Sequence, residues 1–336
     1  MLLPRKGDIL MNNKIEFPKI DYSLLMDLRI DYAFKTFAEG NPNLLISLLN
    51  SIFANKKIRR VIKSINIKNP YLDKKSVEDK LSILDVRAEL DDGTDILIEM
   101  HMYGLGELKA KTIRSWARAY SEELEVGQSY TAQPPTITIA FTNGSVESIE
   151  NDTNTKKDKI HRICMIMDYE DYTVFTNAME LHYIDMKAFA EAVNTTNNII
   201  ITEEAMFSKW LTLITEKEIN NKTIIENACK EEDEIRMAVT ALQRQSEDKL
   251  IRQAYQRRKD EIYFYNKERA EDRRIAEQAI RRAEQAEQKT EQEQRRAEQA
   301  ERKTEQEQRR AEQAEAEIAK LRKEIETLQT NQNVKK

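Results

Sequence analysis

The sequence predicts an α/β fold: a mixed sheet flanked by helices, followed by a helical region and one long C-terminal helix. Three observations predict it. An Asp-Asp-Gly-Thr turn at residues 91–94 joins two β-like runs. Helical patterns stand on both sides of those runs. From Arg281 onward a 14-residue repeat, two heptads long, replaces globular patterning. With only 7 Gly and 6 Pro among 336 residues, collagen-like and Gly/Pro-rich disordered classes are excluded, and 40% hydrophobic content suffices for a sizeable core.

The elements follow in order. Residues 28–38 read as a first helix, broken by Gly40-Asn41-Pro42 before a second over 44–53. Residues 61–67 are β-branched and alternating, and residues 81–90 (LSILDVRAEL) and 95–101 (DILIEMH) flank the Asp-Gly turn, whose glycine tolerates positive φ. Residues 107–126 are helical and end at Gly127. PTITIAF from Pro135 is a buried strand, with shorter strands expected at 173–175 and 181–185, and residues 187–265 read as helical.

The last quarter is different in kind. RRAEQAEQKTEQEQ begins at Arg281 and recurs, slightly varied, at Arg295 and Arg309. Its a/d positions carry Ala, Thr and Glu, then become Ile318, Leu321, Ile325 and Leu328, an apolar seam. Parallel pairing would set Arg296 against Glu301, Arg310 against Glu315 and Glu317 against Arg322. A lone helix held by pairs such as Glu291–Arg295 is the alternative over the Ala-rich repeats. The segment is thus an extended arm, a possible coiled coil through which the chain forms a homo-oligomer.

Charge narrows the function. The chain holds 54 Lys+Arg against 59 Asp+Glu, and residues 267–328 alone hold 16 against 17. Neither part has the basic excess of a protein that grips nucleic acid by phosphate neutralisation alone. Action on DNA would need local basic clusters and bound cations. The two cysteines, Cys164 and Cys229, have no CxxC partner, which excludes a zinc-cysteine cluster. No run approaches the roughly 18 apolar residues that span a bilayer, and Met1–Leu10 lacks a signal-peptide core, so the expectation is a cytoplasmic chain with no membrane partner.

The hairpin carries the chemistry. Asp85 interrupts the apolar run 83–86 and Glu99 the run 96–100. An ionised carboxylate in a buried strand is costly unless paired or metal-bound. Counted from the turn, the two acids lie about opposite each other, and His101 shares the face of Glu99. Like charges across strands destabilise a sheet, and a divalent cation between them removes the penalty. Carboxylate oxygens suit Mg²⁺ (or Mn²⁺), which could polarise a phosphoryl group while His101 orients a water. The alternative is that Arg87 or Arg114 neutralises the acids and His101 is a satisfied strand-end histidine.

Other basic groups stand near this hairpin in sequence. Lys56-Lys57-Ile58-Arg59-Arg60 is one run, and Lys111, Arg114 and Arg118 share one side of the following helix. They either meet phosphates or balance acids such as Glu107 and Glu122. Trp116, Tyr120 and Tyr130 read as core rather than as stacking platforms.

Several ordered segments resemble the Rpn family, the recombination-promoting nucleases often labelled transposases, within the PD-(D/E)XK nuclease superfamily. They are Asp31-Tyr-Ala-Phe34-Lys35, residues 44–50, Leu84-Asp85-Val86, Ile98-Glu99-Met100-His101, Arg114 to Tyr120, Gly127 to Tyr130, and His182-Tyr183-Ile184-Asp185. The resemblance covers about residues 25–190. It implies a restriction-endonuclease-like core and a DNA endonuclease of low sequence specificity serving recombination. It also implies Asp85 and Glu99 as metal ligands with the Met100 carbonyl as third, and Asp31 as an N-terminal catalytic acid, unless Asp31 merely pairs with Lys35. His101 departs from the pattern: the superfamily usually has Lys there and the family Gln. By this reading residues 1–24 are an extension, 25–190 the nuclease core, 191–266 a helical region and 267–336 the arm. A catalytically silent scaffold that oligomerises and recruits partners is the second hypothesis.

Overall fold

The computed structural model describes residues 20–54, 60–68, 71–72, 82–83, 85–102, 105–122, 127, 129–146, 159–198 and 205–333. Two short helices open the fold, α1 (Asp31–Gly40) and α2 (Pro42–Phe53). α1 buries Ala33, Phe34, Phe37 and Ala38, and α2 buries Leu44, Leu45, Leu48, Leu49, Ile52 and Phe53, the i, i+3/i+4 stripes of helices laid on a sheet.

Strands β1 (Ile65–Lys68), β2 (Tyr71–Leu72), β3 (Ser82–Ile83), β4 (Val86–Leu90) and β5 (Asp95–His101) follow. Then come α3 (Leu108–Glu122), β6 (Thr136–Thr142), β7 (His161–Met167) and β8 (Val174–Asp185). The main sheet has the order β1-β4-β5-β6-β8-β7, and β2 and β3 form a separate two-stranded ribbon. β5, β6 and β8 run parallel, while β1, β4 and β7 add antiparallel edges. β5 and β6 are buried at every position, as strands covered on both faces are. One face packs Ile96, Ile98, Ile137, Ile139, Phe141 and Ile184 into the main core with α1 and α2. The opposite face meets α3 through Leu97 and Ala119, and through Leu108, Ala140, Leu181 and Tyr183.

Four more helices, α4 (Met186–Thr196), α5 (Ala205–Ile214), α6 (Thr223–Glu231) and α7 (Asp233–Glu247), join the same core through Phe189, Trp210, Ile225 and Leu242. The final helix, α8, runs Lys249–Asn333. Cα packing divides the chain into a unit ending at Tyr263 and another from Phe264. In the second unit Ile318 and Leu321 are half-exposed, Arg295 pairs with Glu291 at 2.6 Å, and the hydroxyls of Thr290 and Thr304 bond back to the carbonyls of Ala286 and Ala300. No helix among the described residues is long and apolar enough to cross a membrane.

Several expectations need correction. The run 81–90 is not one strand: β3 pairs with β2, and Asp85 sits in a bend before β4. The Asp85 carboxylate itself accepts the N–H of Met100, replacing a backbone partner where a longer β4 would have continued the ladder. β7 is an additional strand, and the two short strands foreseen after residue 170 are one strand of twelve residues. Tyr130 is exposed rather than core, whereas Trp116 and Tyr120 stack half-buried with ring centroids 5.0 Å apart. The basic positions Lys56 to Arg59 lie outside the described residues, as do Leu84 and Gln128 and the side chains of Ile325 and Leu328.

Candidate active site

The β4–β5 hairpin builds the site. Its turn places Gly93 at φ 82°, a conformation that glycine adopts without strain, and the Asp92 carboxylate accepts the N–H of Thr94 at 3.0 Å. The turn fixes the register as far as Val86↔Ile98; Asp85, in the bend, precedes Val86, and Glu99 follows Ile98. Strand alternation sends Ile98 and Met100 into the main core and Glu99 and His101 to the α3 face. Sheet register extends that row sideways from Glu99 to Ala140 and Tyr183. The Tyr183 hydroxyl is hydrogen-bonded to Thr112 of α3, so the row is closed by a tyrosine rather than by another charge.

Charges in this hairpin sort into two groups. Near the turn, buried Asp95 is met by Arg87 at 2.9 Å and Lys68 at 3.6 Å, and Arg87 reaches Glu122 of α3 at 3.1 Å. Arg87 is therefore engaged away from Asp85 and Glu99, and Arg114 is exposed. At the far end, Glu99 (7% exposed) bonds His101 (8% exposed) through Oε2 and Nε2 at 2.6 Å. Among the described residues neither Asp85 nor Glu99 is ion-paired to Arg or Lys. Burial pushes the Asp85 carboxyl up to about 8, opposed by the Met100 N–H; the charges of Asp31 and Glu99 push it further up, and Arg258 pulls it down. Asp31, Asp85, Glu99 and Arg258 thus form one electrostatic cluster.

Asp31 stands at the first position of α1, where its Oδ1 also accepts the N–H of Tyr32 at 2.7 Å. Its ionic partner is Arg258 of α8, not Lys35, which lies 3.9 Å from Glu39. Met100 lies between Glu99 and His101, with its N–H on Asp85 and its side chain in the main core. Lys111 and Arg114 are exposed on α3 and Arg118 is half-buried, so the structure gathers the acids and His101 but leaves Lys111 and Arg114 in solvent. Two participants escaped the sequence reading. Tyr183 was seen only as part of a strand, and Arg258 sits in the helical run RRKDE, where nothing marks one arginine above its neighbours.

Among the described residues no group of three or more His, Cys, Asp and Glu is disposed to hold a metal ion. Two hard carboxylates nevertheless fit Mg²⁺ or Mn²⁺, since such ions are commonly held by one or two carboxylates, with waters and substrate phosphate completing the shell. Burial first, and the neighbouring acids after it, oppose ionisation of Asp85, and a cation beside it would favour the charged form.

A mixed six-stranded sheet between helices, with paired acids on one hairpin, is consistent with the PD-(D/E)XK fold. The family model described as PD-(D/E)XK nuclease family transposase matches residues 28–267, and the chain belongs to that family. That span runs from just before α1 to beyond Arg258. Nucleases of this superfamily typically use divalent metals. Neither a curated protein nor a solved structure matches the chain.

Proposed function

We propose that this protein is a divalent-cation-dependent endodeoxyribonuclease of low sequence specificity that hydrolyses phosphodiester bonds in recombination or DNA mobility. The observation that carries the reading is the pair Asp85 and Glu99, acids at one end of a hairpin whose charges act on each other and which have no Arg or Lys ion partner among the described residues. Family membership supports the nuclease class, and the recombination role and low specificity follow the family resemblance.

Asp85, Glu99 and the Met100 carbonyl would hold the ion, which when bound supplies Lewis acidity and neutralises developing phosphate charge. His101 acts beside them. With Nε2–H donated to Glu99, a neutral ring would present Nδ1 as an acceptor that could orient a water and take its proton. The low exposure of Glu99 and His101 strengthens their mutual hydrogen bond by limiting competition from water. Exposed Lys111 and Arg114, with Arg118 beside them, would meet the DNA backbone.

One observation favours a second reading, a catalytically inactive nuclease-fold scaffold: Arg258 already supplies a cation to the cluster through Asp31. Nicking of supercoiled plasmid with Mg²⁺ or Mn²⁺ separates the two. The nuclease reading expects activity in the wild type and a loss of at least about a hundredfold, ~2.7 kcal/mol of barrier, in Asp85→Ala and Glu99→Ala. Equal nicking by all three proteins, or by none, would contradict it.

A further inference from the structure

The tip of the β7–β8 hairpin takes no part in the proposed cleavage, yet it is built to meet something. Met167, Tyr169, Tyr172, Val174 and Phe175 all lie at least half in solvent, with Tyr169 86% and Phe175 72% exposed. The same stretch carries Asp168, Glu170 and Asp171, and residues 167–178 hold no Lys or Arg. Hydrogen bonds hold the loop in one shape. The Asp168 carboxylate accepts the N–H of Glu170 at 2.8 Å and of Asp171 at 3.0 Å, and the Asp168 N–H donates to the Thr173 carbonyl at 2.8 Å. Tyr172 stands at φ 54°, a left-handed conformation unusual for a bulky residue, with its ring centroid 6.3 Å from that of Tyr169. Single exposed apolar residues are ordinary, but a cluster of them on one loop marks an interaction surface, and tyrosines are common anchors there.

The complementary chemistry stands on α3. Its solvent side carries Lys111 and Arg114, exposed and without an ion partner among the described residues, beside exposed Ala110, Ile113 and Ala117. Short Ala side chains next to Ile113 leave room for aromatic rings, and Arg114 can lie over one of them as a cation–π partner. We propose that the β7–β8 tip of one copy docks on α3 of a second copy, its rings on Ala110, Ile113 and Ala117 and its acids against Lys111 and Arg114. Charge decides the occupant. Tip against tip would set three acids against three, and nucleic acid would set them against phosphates, both repulsive. α3 of another copy offers apolar contact and opposite charge together. Within one copy both surfaces are exposed, so neither covers the other. They are nevertheless tied into one framework, because Trp116 of α3 donates to the carbonyl of Ala178, three residues beyond Phe175, at 3.4 Å. The inference does not depend on cleavage. Since Lys111 and Arg114 are also the bases proposed to meet DNA, a second copy and DNA would exclude each other there.

Sedimentation velocity of the full chain from about 1 to 100 µM, the range of small transient contacts, tests this. The wild type should show a concentration-dependent association step that added salt weakens. Any association through the arm is common to all the proteins compared, so the differences between them report the tip. Glu170→Lys with Asp171→Lys, and separately Lys111→Glu with Arg114→Glu, are each expected to weaken that step at least about tenfold. The chain carrying all four substitutions should recover it, because the charges have only changed sides. Tyr169→Ser should weaken it with no charge altered. Should a variant fail to fold, the wild type still answers: the lack of any salt-sensitive association step overturns the proposal. So does equal sedimentation of all the proteins, weakening by the tip substitutions alone, or no recovery in the fourfold variant.

Discussion

Asp85 and Asp95 begin as similar residues, acids of one hairpin region, and the fold treats them differently. Asp95 receives Arg87 and Lys68 directly. Asp85 receives a backbone N–H and the repulsion of two other acids. Removing one partner of a buried ion pair is costly, so folds generally provide partners as Arg87 does here. A site that omits them is spending stability on something else. Asp85 and Glu99 were legible in the sequence because carboxylates interrupt apolar strand runs, a conflict between pattern and chemistry. Arg258 was not legible, because an arginine on a charged helix conflicts with nothing. The exposed basic residues of α3 carry their own test. Arg114→Ala should weaken DNA binding nearly evenly across sequences and reduce the slope of log K against log salt by about 0.9, one phosphate contact. An unchanged slope would remove Arg114 from the interface.

Among the elements, the β4–β5 hairpin and the helix after it were readable because turn chemistry and period-2 alternation agree. Residues 161–167 and 174–185 were harder. β8 carries Glu180 and His182 inside it, and its first residues, Val174 and Phe175, are exposed, so no clean alternation announces a twelve-residue strand. The structure explains the polar pair. Glu180 Oε1 meets His182 Nε2 at 2.5 Å, and His182 Nδ1 meets His161 Nε2 of β7 at 2.8 Å, a buried polar chain joining the last two strands. Burial pushes His161 down to about 3, helped by the nearby His182 and Lys159. The native state therefore binds fewer protons than the unfolded chain between pH 6.5 and about 3. This contribution is complete above pH 6.5 and is lost as the pH falls, by up to ~1.4 kcal/mol per pH unit for one proton. Urea denaturation at pH 7.5, 6 and 5 should show that slope reduced in His161→Gln. An identical slope in the variant would place the acid sensitivity elsewhere.

At the scale of the whole chain, the unit ending at Tyr263 contains Arg258 and the hairpin acids, and the unit from Phe264 is a single helix with half-exposed Ile318 and Leu321. The repeat was readable because a 14-residue period belongs to the chain itself and needs no packing partner to be seen. We expect truncation after Tyr265 to lower the number of chains per particle measured by light scattering; an unchanged number would exclude association through the arm. The proposed divalent ion would be shared by Asp85 and Glu99. Calorimetric titration of the full wild-type chain with Mn²⁺ at neutral pH, beside Asp85→Asn and Glu99→Gln, tests it most directly. The wild type should give a saturable heat that both neutral substitutions abolish; the same heat in all three proteins would exclude a shared ion.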